Sequence, residues 1–138
     1  MIKKMVRIRA YISSVEGEED KIEFATEGEY QKNDDVITIM YEESEISGMK
    51  GSLTTLEVKD ESIVMRRDGT ASSEMMFEEG KRHESDYSTP YGVFKVELLT
   101  KKLESDFNEE GSGTITIEYD MSIRGLSESS NRLIVEVF

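Results

Sequence analysis

Apolar residues in this chain recur at every second position, in short segments that are separated by turn-forming residues. The clearest segment is GTITIEYDMSI (113–123), in which the odd positions are apolar and most even positions are polar. A period of two with one apolar face is typical of an antiparallel strand that is buried on one side. The same alternation occurs at 6–12, 22–30, 36–43, 52–59, 62–67 and 72–79. The odd residues Ile115, Ile117, Tyr119, Met121 and Ile123 are therefore predicted to point inward.

Turn-forming residues separate these segments at short intervals. Asp68-Gly69 is the strongest hairpin signal, because this dipeptide tolerates the positive φ of a tight turn. Further turns are predicted at 17–20, 32–35, 48–51, 59–61, 109–113 and 127–131. Connections this short pair each strand with its neighbour in sequence, and they predict about eight or nine strands.

The segment VELLTKKLESDF (96–107) fits two patterns. Val96, Leu99, Leu103 and Phe107 would share one face of a helix. Read as a strand, the segment switches its apolar parity near Lys101, and such a switch requires a β-bulge that bends the strand. We favour the bent strand, and the helix is the alternative.

No long amphipathic helix is predicted elsewhere, so no helix is available to cover a flat sheet. A sheet with one apolar face must then close on itself or pack against a second sheet. Sequential hairpins favour closure. We therefore predict an all-β fold with one domain over residues 1–138, a single antiparallel up-and-down β-barrel of about eight strands. If the barrel closes, the terminal strands 5–12 and 132–138 should be adjacent.

Several motifs also resemble those of a known family. They are YEES (41–44), VMRRDG (64–69), MMFEEGKRHESDYSTPYG (75–92), LLTKKL (98–103) and TIEYDMSIRG (116–125). Their order and spacing resemble the YwiB-like family of uncharacterised proteins from Gram-positive bacteria, which is a domain of unknown function. The resemblance implies a calycin-like barrel, similar in shape to lipocalins, in a cytoplasmic protein. It implies no activity and supplies no catalytic residues.

Composition narrows the classes of function. With 17 basic and 30 acidic residues the net charge is −13, which repels phosphate backbones and argues against nucleic-acid binding. The four basic residues of the first strand are expected to lie beside acidic strands. No apolar stretch approaches the ~20 residues of a membrane helix, and the absence of cysteine excludes a thiolate metal site. We predict a cytoplasmic protein with no cofactor, metal or membrane partner, either a monomer or a homodimer.

The stretch HESDYSTPYGVFKVEL (83–98) contains the only histidine and the only proline of the chain. In an extended strand His83 and Ser85 lie roughly 7 Å apart, and Asp86 points to the other face. These residues therefore cannot form a self-contained catalytic triad. We interpret the stretch mainly as a corner with a turn at TPYG (89–92), flanked by Tyr87 and Tyr91. His83 and the two tyrosines either belong to this corner or line a barrel mouth.

Two adjacent arginines precede the Asp68-Gly69 turn. Because neighbouring residues of a strand face opposite ways, one of Arg66 and Arg67 must approach the barrel interior near its rim. An unpaired buried guanidinium is costly, so it must meet a carboxylate, tyrosine hydroxyls or solvent. Either the Arg67 guanidinium stays in solvent while the aliphatic part of the side chain packs on the core, or it binds an anionic group of a ligand.

Two functions of different classes remain open at this point. The first is a binding module that holds a small molecule in the barrel interior, since eight strands can enclose one small ligand. The second is a structural or protein-interaction module with a filled barrel and no ligand. An enzyme is the third and least favoured class, because one histidine and no cysteine leave few of the usual catalytic side chains. The candidate ligand-binding residues are Arg67, His83, Tyr87, Tyr91 and Tyr119; no catalytic residue is predicted.

Overall fold

In the computed structural model, which describes residues 1–44, 46, 51–124 and 126–138, the chain forms ten β-strands. They are β1 (Ile2–Ser14), β2 (Glu19–Asn33), β3 (Val36–Glu42), β4 (Leu53–Val58), β5 (Ser62–Asp68), β6 (Ser72–Glu78), β7 (Arg82–Thr89), β8 (Gly92–Phe107), β9 (Gly113–Ile123) and β10 (Ser127–Val137). Each strand pairs with its neighbour in sequence and β1 also pairs with β10, which closes the barrel. The predicted antiparallel up-and-down barrel is confirmed. Residues 48–50 of the predicted 48–51 turn lie outside the described residues.

The predicted number of about eight strands is wrong, because the barrel has ten. The stretch interpreted as a corner contains a full strand, β7. Its inward positions include His83, Ser85 and Tyr87, so it lacks the apolar alternation that marks the other strands. The turn itself is confined to Pro90 and Tyr91, since Thr89 and Gly92 already pair with each other.

Strand β8 runs through the ambiguous segment 96–107, so the bent strand is confirmed and the helix is wrong. Thr100 pairs with Tyr119 and Lys102 pairs with Glu118, which leaves Lys101 as the extra residue of a bulge. The bulge moves the inward face from even positions before it to odd positions after it. Leu98 and Leu103 can therefore both pack toward the core.

Barrel closure joins the two terminal strands, as predicted. The β1–β10 ladder runs from Val6 opposite Val137 to Ser14 opposite Ser129. Two of the four basic residues of β1 contact acidic side chains of neighbouring strands, since Arg9 contacts Glu136 and Lys3 lies 3.5 Å from Glu27. Among the described residues, no helix is long and apolar enough to span a membrane.

The core fills the barrel interior over most of its length. Ile115 and Ile117 are completely buried, and Tyr119 packs its ring edge on Phe77 with 4.9 Å between the ring centres. Met121 and Ile123 are half-buried and pack against the same core. The predicted inward face of β9 is thus confirmed, and its exposure increases toward one end of the barrel, which we call the mouth.

Candidate ligand site at the barrel mouth

A row of inward-facing residues crosses five strands near the mouth. The row follows the strand register without a break. It consists of Tyr41 on β3, Thr54 on β4, Arg67 on β5, Ser73 on β6 and Tyr87 on β7. Because cross-strand partners lie about 4.5–5.5 Å apart, this register alone brings a hydroxyl-rich belt around Arg67.

Arg67 meets a buried carboxylate within this belt. Its Nε atom lies 3.6 Å from Oε1 of Glu43, whose side chain is only 2% exposed, whereas that of Arg67 is 24% exposed. Thr54 Oγ1 donates a 2.7 Å hydrogen bond to the same Glu43 oxygen. The Arg67 Nε atom is itself buried and has no hydrogen-bond partner among the described residues. The guanidinium thus has a counter-ion but retains an unused buried donor.

Two phenols complete the polar layer. Burial raises the pKa of Tyr41, and the negative charge of the nearby Glu43 raises it further. The positive charge of Arg67 acts in the opposite direction on this pKa. Burial also raises the pKa of Tyr119, while the positive charge of Arg67 acts in the opposite direction. Both phenols therefore stay neutral at physiological pH, and the formal charges of this layer are those of Arg67 and Glu43.

A cavity of about 120 Å³ opens at the mouth beside Arg67. Most of its lining residues are apolar, and Arg67, Tyr87 and two serines supply the polar groups. The lining residues are Ser52, Arg67, Ala71, Ser73, Met75, Tyr87, Val96, Met121 and Ile123. Ligand pockets usually measure about 300–1,000 Å³. This cavity can accordingly enclose only a very small molecule or one end of a larger one.

The structure brings together some of the predicted residues and separates others. Arg67 and Tyr87 line the mouth cavity, and Tyr119 lies deeper, against Phe77. Tyr91 is 93% exposed at the tip of the β7–β8 turn. His83 bonds to Glu78 and is not among the residues that line the cavity.

His83 occupies a weakly paired part of the barrel wall. The β6–β7 ladder consists of two pairs near the mouth, Ser72 with Ser88 and Ser73 with Tyr87. Farther from the mouth, His83 Nε2 lies 2.8 Å from Glu78 Oε1. The Lys81 ammonium first, and then His83, lower the pKa of the Glu78 carboxyl. This side-chain contact links β6 and β7 in a region beyond their backbone ladder.

Glu43 is the site residue that sequence reasoning missed. Adjacent acidic residues such as Glu42-Glu43 ordinarily belong to solvated surface, but only Glu42 is exposed here. The period of two could have identified Glu43 as inward, because it lies at an odd position like the inward residues Ile39 and Tyr41. A carboxylate that extends an inward apolar face should have been matched with the inward arginine.

A larger groove of about 760 Å³ is lined by residues of β1, β2, β8, β9 and β10, and Tyr119 is among them. Two pairs of its charged groups lie within ion-pair distance. Lys101 Nζ lies 3.0 Å from Asp120 Oδ2, and Arg132 Nε lies 3.8 Å from Glu118 Oε1. Within the described residues, no cluster of three or more His, Asp or Glu side chains could hold a metal ion. The mouth cavity, which has an unused donor, is the better candidate despite its size.

Comparison with known proteins gives consistent results. A family model described as "Domain of unknown function (DUF1934)" matches residues 6–135. The "Uncharacterized beta-barrel protein YwiB" of Bacillus subtilis (strain 168) is 28% identical over 138 residues, which is 97% of this chain and 94% of that protein. A solved structure, "Crystal structure of ywiB protein from Bacillus subtilis", superposes with a TM-score of 0.86 at 21% identity, covering 98% of this chain and 89% of the other. The predicted family resemblance is confirmed.

Proposed function

The chain belongs to the family of the domain of unknown function DUF1934, and from this premise we propose that it binds a small molecule at the mouth of its barrel. The observation that carries the proposal is the Arg67 Nε atom, buried without a hydrogen-bond partner among the described residues. Buried donors nearly always have a partner, and Glu43 at 3.6 Å is too distant to be one. Because the Arg67 side chain also lines the mouth cavity, a ligand oxygen in that cavity can bind the guanidinium.

The surroundings of Arg67 define the chemistry of that ligand. Glu43 already balances the charge of the guanidinium, so the site does not require a second negative charge. A guanidinium has five N–H hydrogen-bond donors and no acceptor, so the ligand must present an acceptor oxygen. The apolar residues that line the cavity, among them Met75, Val96 and Ile123, favour an apolar body. We propose a small organic molecule in which a carboxylate or a carbonyl oxygen is attached to an apolar group.

Nuclear magnetic resonance of the arginine Nε–H groups tests this proposal directly. Butanoate and butanamide are suitable probes, because they present the same apolar group with a charged and a neutral head. We expect at least one of them to shift the Arg67 Nε–H resonance in a saturable manner. The accompanying shifts of the Tyr87 and Val96 backbone amides, which line the cavity, should be lost in Arg67→Met and persist in the matched control Arg66→Met, because Arg66 pairs with Glu57 and Glu74 on the outer wall.

The filled core favours a second candidate, a structural or protein-interaction module without a ligand. Large side chains such as Phe77, Leu98 and Ile115 are almost fully buried inside the barrel. This candidate predicts that neither probe changes any Arg67 resonance at concentrations up to tens of millimolar. Such a result would contradict the proposed ligand site.

We further propose that the barrel is related to the calycins, in a cytoplasmic protein that does not bind nucleic acid. The closed up-and-down order of the strands supports the relation to lipocalin-like barrels. The family resemblance supports the cytoplasmic location. The net charge of −13 supports the exclusion of nucleic acid, since such a surface repels phosphate.

A further inference from the structure

We infer that Glu43 makes the mouth cavity selective for an uncharged carbonyl compound, a primary amide above all, and against the carboxylate of the same shape. This inference rests on the proposed function and narrows its ligand class. It follows from the position of one buried carboxylate beside Arg67, whose guanidinium is the group that a ligand oxygen would bind.

The charge of the cavity is already balanced before a ligand enters. Arg67 is the only charged residue among the described residues that line the cavity. Oε1 of Glu43 lies 3.6 Å from its Nε atom, and the Glu43 side chain is only 2% exposed. The raised pKa values of Tyr41 and Tyr119 keep both phenols neutral. A bound carboxylate would therefore give this layer a net negative charge, whereas an uncharged carbonyl group would leave it neutral.

The charge of Glu43 reaches the position of the ligand. Glu43 is not among the residues that line the cavity, so it acts on a ligand through its charge and not by contact. A hydrogen bond of ~2.9 Å to any nitrogen of the guanidinium keeps a ligand oxygen within about 9 Å of Oε1 of Glu43. At an effective dielectric constant of ~20, the repulsion between two unit charges at that distance weakens binding by more than about tenfold. The 2.7 Å hydrogen bond from Thr54 Oγ1 holds the carboxylate in place.

Loss of hydration acts in the same direction as this repulsion. A carboxylate that enters a buried site loses its hydration, and attraction to a counter-ion compensates for that loss only where the geometry is excellent. The attraction of Arg67 for a ligand carboxylate is opposed here by Glu43. An amide loses much less on leaving water, because it carries no net charge. Its carbonyl oxygen can still accept a hydrogen bond from the guanidinium.

Two serine hydroxyls offer partners for the other half of a primary amide. Ser73 is the cross-strand partner of Arg67, and Ser52 also lines the cavity. A hydroxyl oxygen can accept a hydrogen bond from the amide N–H group while the amide oxygen accepts one from the guanidinium. A carboxylate has no proton to donate. Within the uncharged carbonyl compounds, these hydroxyls therefore favour a primary amide.

Butanamide and butanoate differ mainly in the charge of the head group and test the inference. Their affinities are measured at neutral pH by nuclear magnetic resonance titration of the Tyr87 and Val96 backbone amides, for wild type and for Glu43→Gln. Wild type should bind butanamide at least about tenfold more tightly than butanoate. Glu43→Gln removes the charge but keeps an oxygen for Thr54. Butanoate affinity should therefore rise by more than about tenfold, and butanamide affinity should change by less than about threefold.

The matched control is Glu42→Gln, because it removes the same charge from the adjacent, exposed position. It should retain the wild-type ratio of the two affinities. Thermal unfolding verifies that each variant is folded. If Glu43→Gln does not fold, the comparison of the two probes in wild type alone still tests the selectivity.

The outcomes separate this inference from the function on which it rests. If wild type binds butanoate as tightly as butanamide, or more tightly, the selectivity is wrong and the mouth site stands. A preference for butanamide that persists unchanged in Glu43→Gln also overturns the inference, because the preference must then have another origin. If neither probe binds, the proposed function itself fails.

Discussion

Oε1 of Glu43 lies 3.6 Å from Nε of Arg67 and accepts the 2.7 Å hydrogen bond of Thr54 Oγ1, so one buried carboxylate oxygen is both the counter-ion of Arg67 and the acceptor of Thr54. The three residues lie near the mouth on β4, β5 and the segment that follows β3. Their contacts fix the position of the guanidinium relative to the cavity.

Replacement of Glu43 should destabilise the barrel. Glu43→Leu leaves Thr54 without its acceptor and Arg67 without its counter-ion, and a buried polar group left unpaired costs about 1–3 kcal/mol. Urea unfolding should show a loss of this order for Glu43→Leu, and within ~0.5 kcal/mol for the exposed control Glu42→Leu. In the double variant Glu43→Leu/Arg67→Met, part of the loss should be recovered. Strict additivity of the two single changes would contradict the pair.

Alkaline pH should weaken the fold through Tyr41. An unfolded tyrosine releases its proton near pH 10, whereas the buried Tyr41 retains its proton, so the unfolded state binds fewer protons and stability falls as pH rises. One such group contributes a slope of up to about 1.4 kcal/mol per pH unit. The free energy of unfolding of Tyr41→Phe should therefore decline less steeply above pH 10 than that of wild type. The exposed control Tyr91→Phe should decline like wild type.

The inward face of β9 should carry much of the packing energy. Ile117 is completely buried, and its truncation to alanine should cost about 2–5 kcal/mol in urea unfolding. Thr114 lies exposed on the opposite face of the same strand. Thr114→Ala should therefore remain within ~0.5 kcal/mol of wild type. Similar costs for the two variants would mean that the burial described for β9 is wrong.

The β7–β8 turn should depend on its glycine. Gly92 has φ +129°, a conformation that L side chains rarely adopt. Gly92→Val should therefore cost on the order of 1–3 kcal/mol of backbone strain. Tyr91→Ala changes the adjacent residue of the same turn and keeps the glycine. We expect no measurable loss of stability from this control. A neutral Gly92→Val in thermal unfolding would show that the turn can adopt another conformation.

Removal of His83 should change the free energy of unfolding little at neutral pH. The contribution of the Glu78 carboxylate to this free energy should be lost in acid. His83→Ala should remain within ~0.5 kcal/mol of wild type, as is usual for partly exposed residues. The pKa of Glu78 is lowered in the folded protein, so its contribution is present above the ordinary carboxyl pKa and disappears as the pH falls through the folded value. Glu78→Gln should differ from wild type at pH 7 and converge with it in acid. A difference that persists in acid would argue against the charge effect.

The sequence predicts barrel elements well where apolar alternation is strong. The β9 face and the parity switch at Lys101 both follow from the period of two, because one-sided burial leaves that period in the residues. The pattern is weak in β7, where His83 and Ser85 occupy inward positions, so this strand was interpreted as a corner. A strand whose inward face is polar has no periodic signal to recognise.

The site could be predicted only in part for a related reason. The parity of β5 separates Arg67 from Arg66, and the structure places Arg67 inward as expected. Whether Glu43 meets it depends on the register of β3 against β4 and of β4 against β5. Register is a pairing between segments, and one segment alone does not reveal it.

The pairing of β1 with β10 has a consequence for the order in which the strands of the barrel assemble. Every other ladder joins strands that are consecutive in sequence, but β1–β10 joins residues from opposite ends of the described chain. Because the entropic cost of closing a loop grows with its length, the local hairpins should form early and the seam between β1 and β10 should form last. Contacts at this seam would then be absent from the folding transition state. Weakening these contacts should increase the rate of unfolding and leave the rate of folding nearly unchanged. The β1–β10 seam would then determine the kinetic stability of the native barrel.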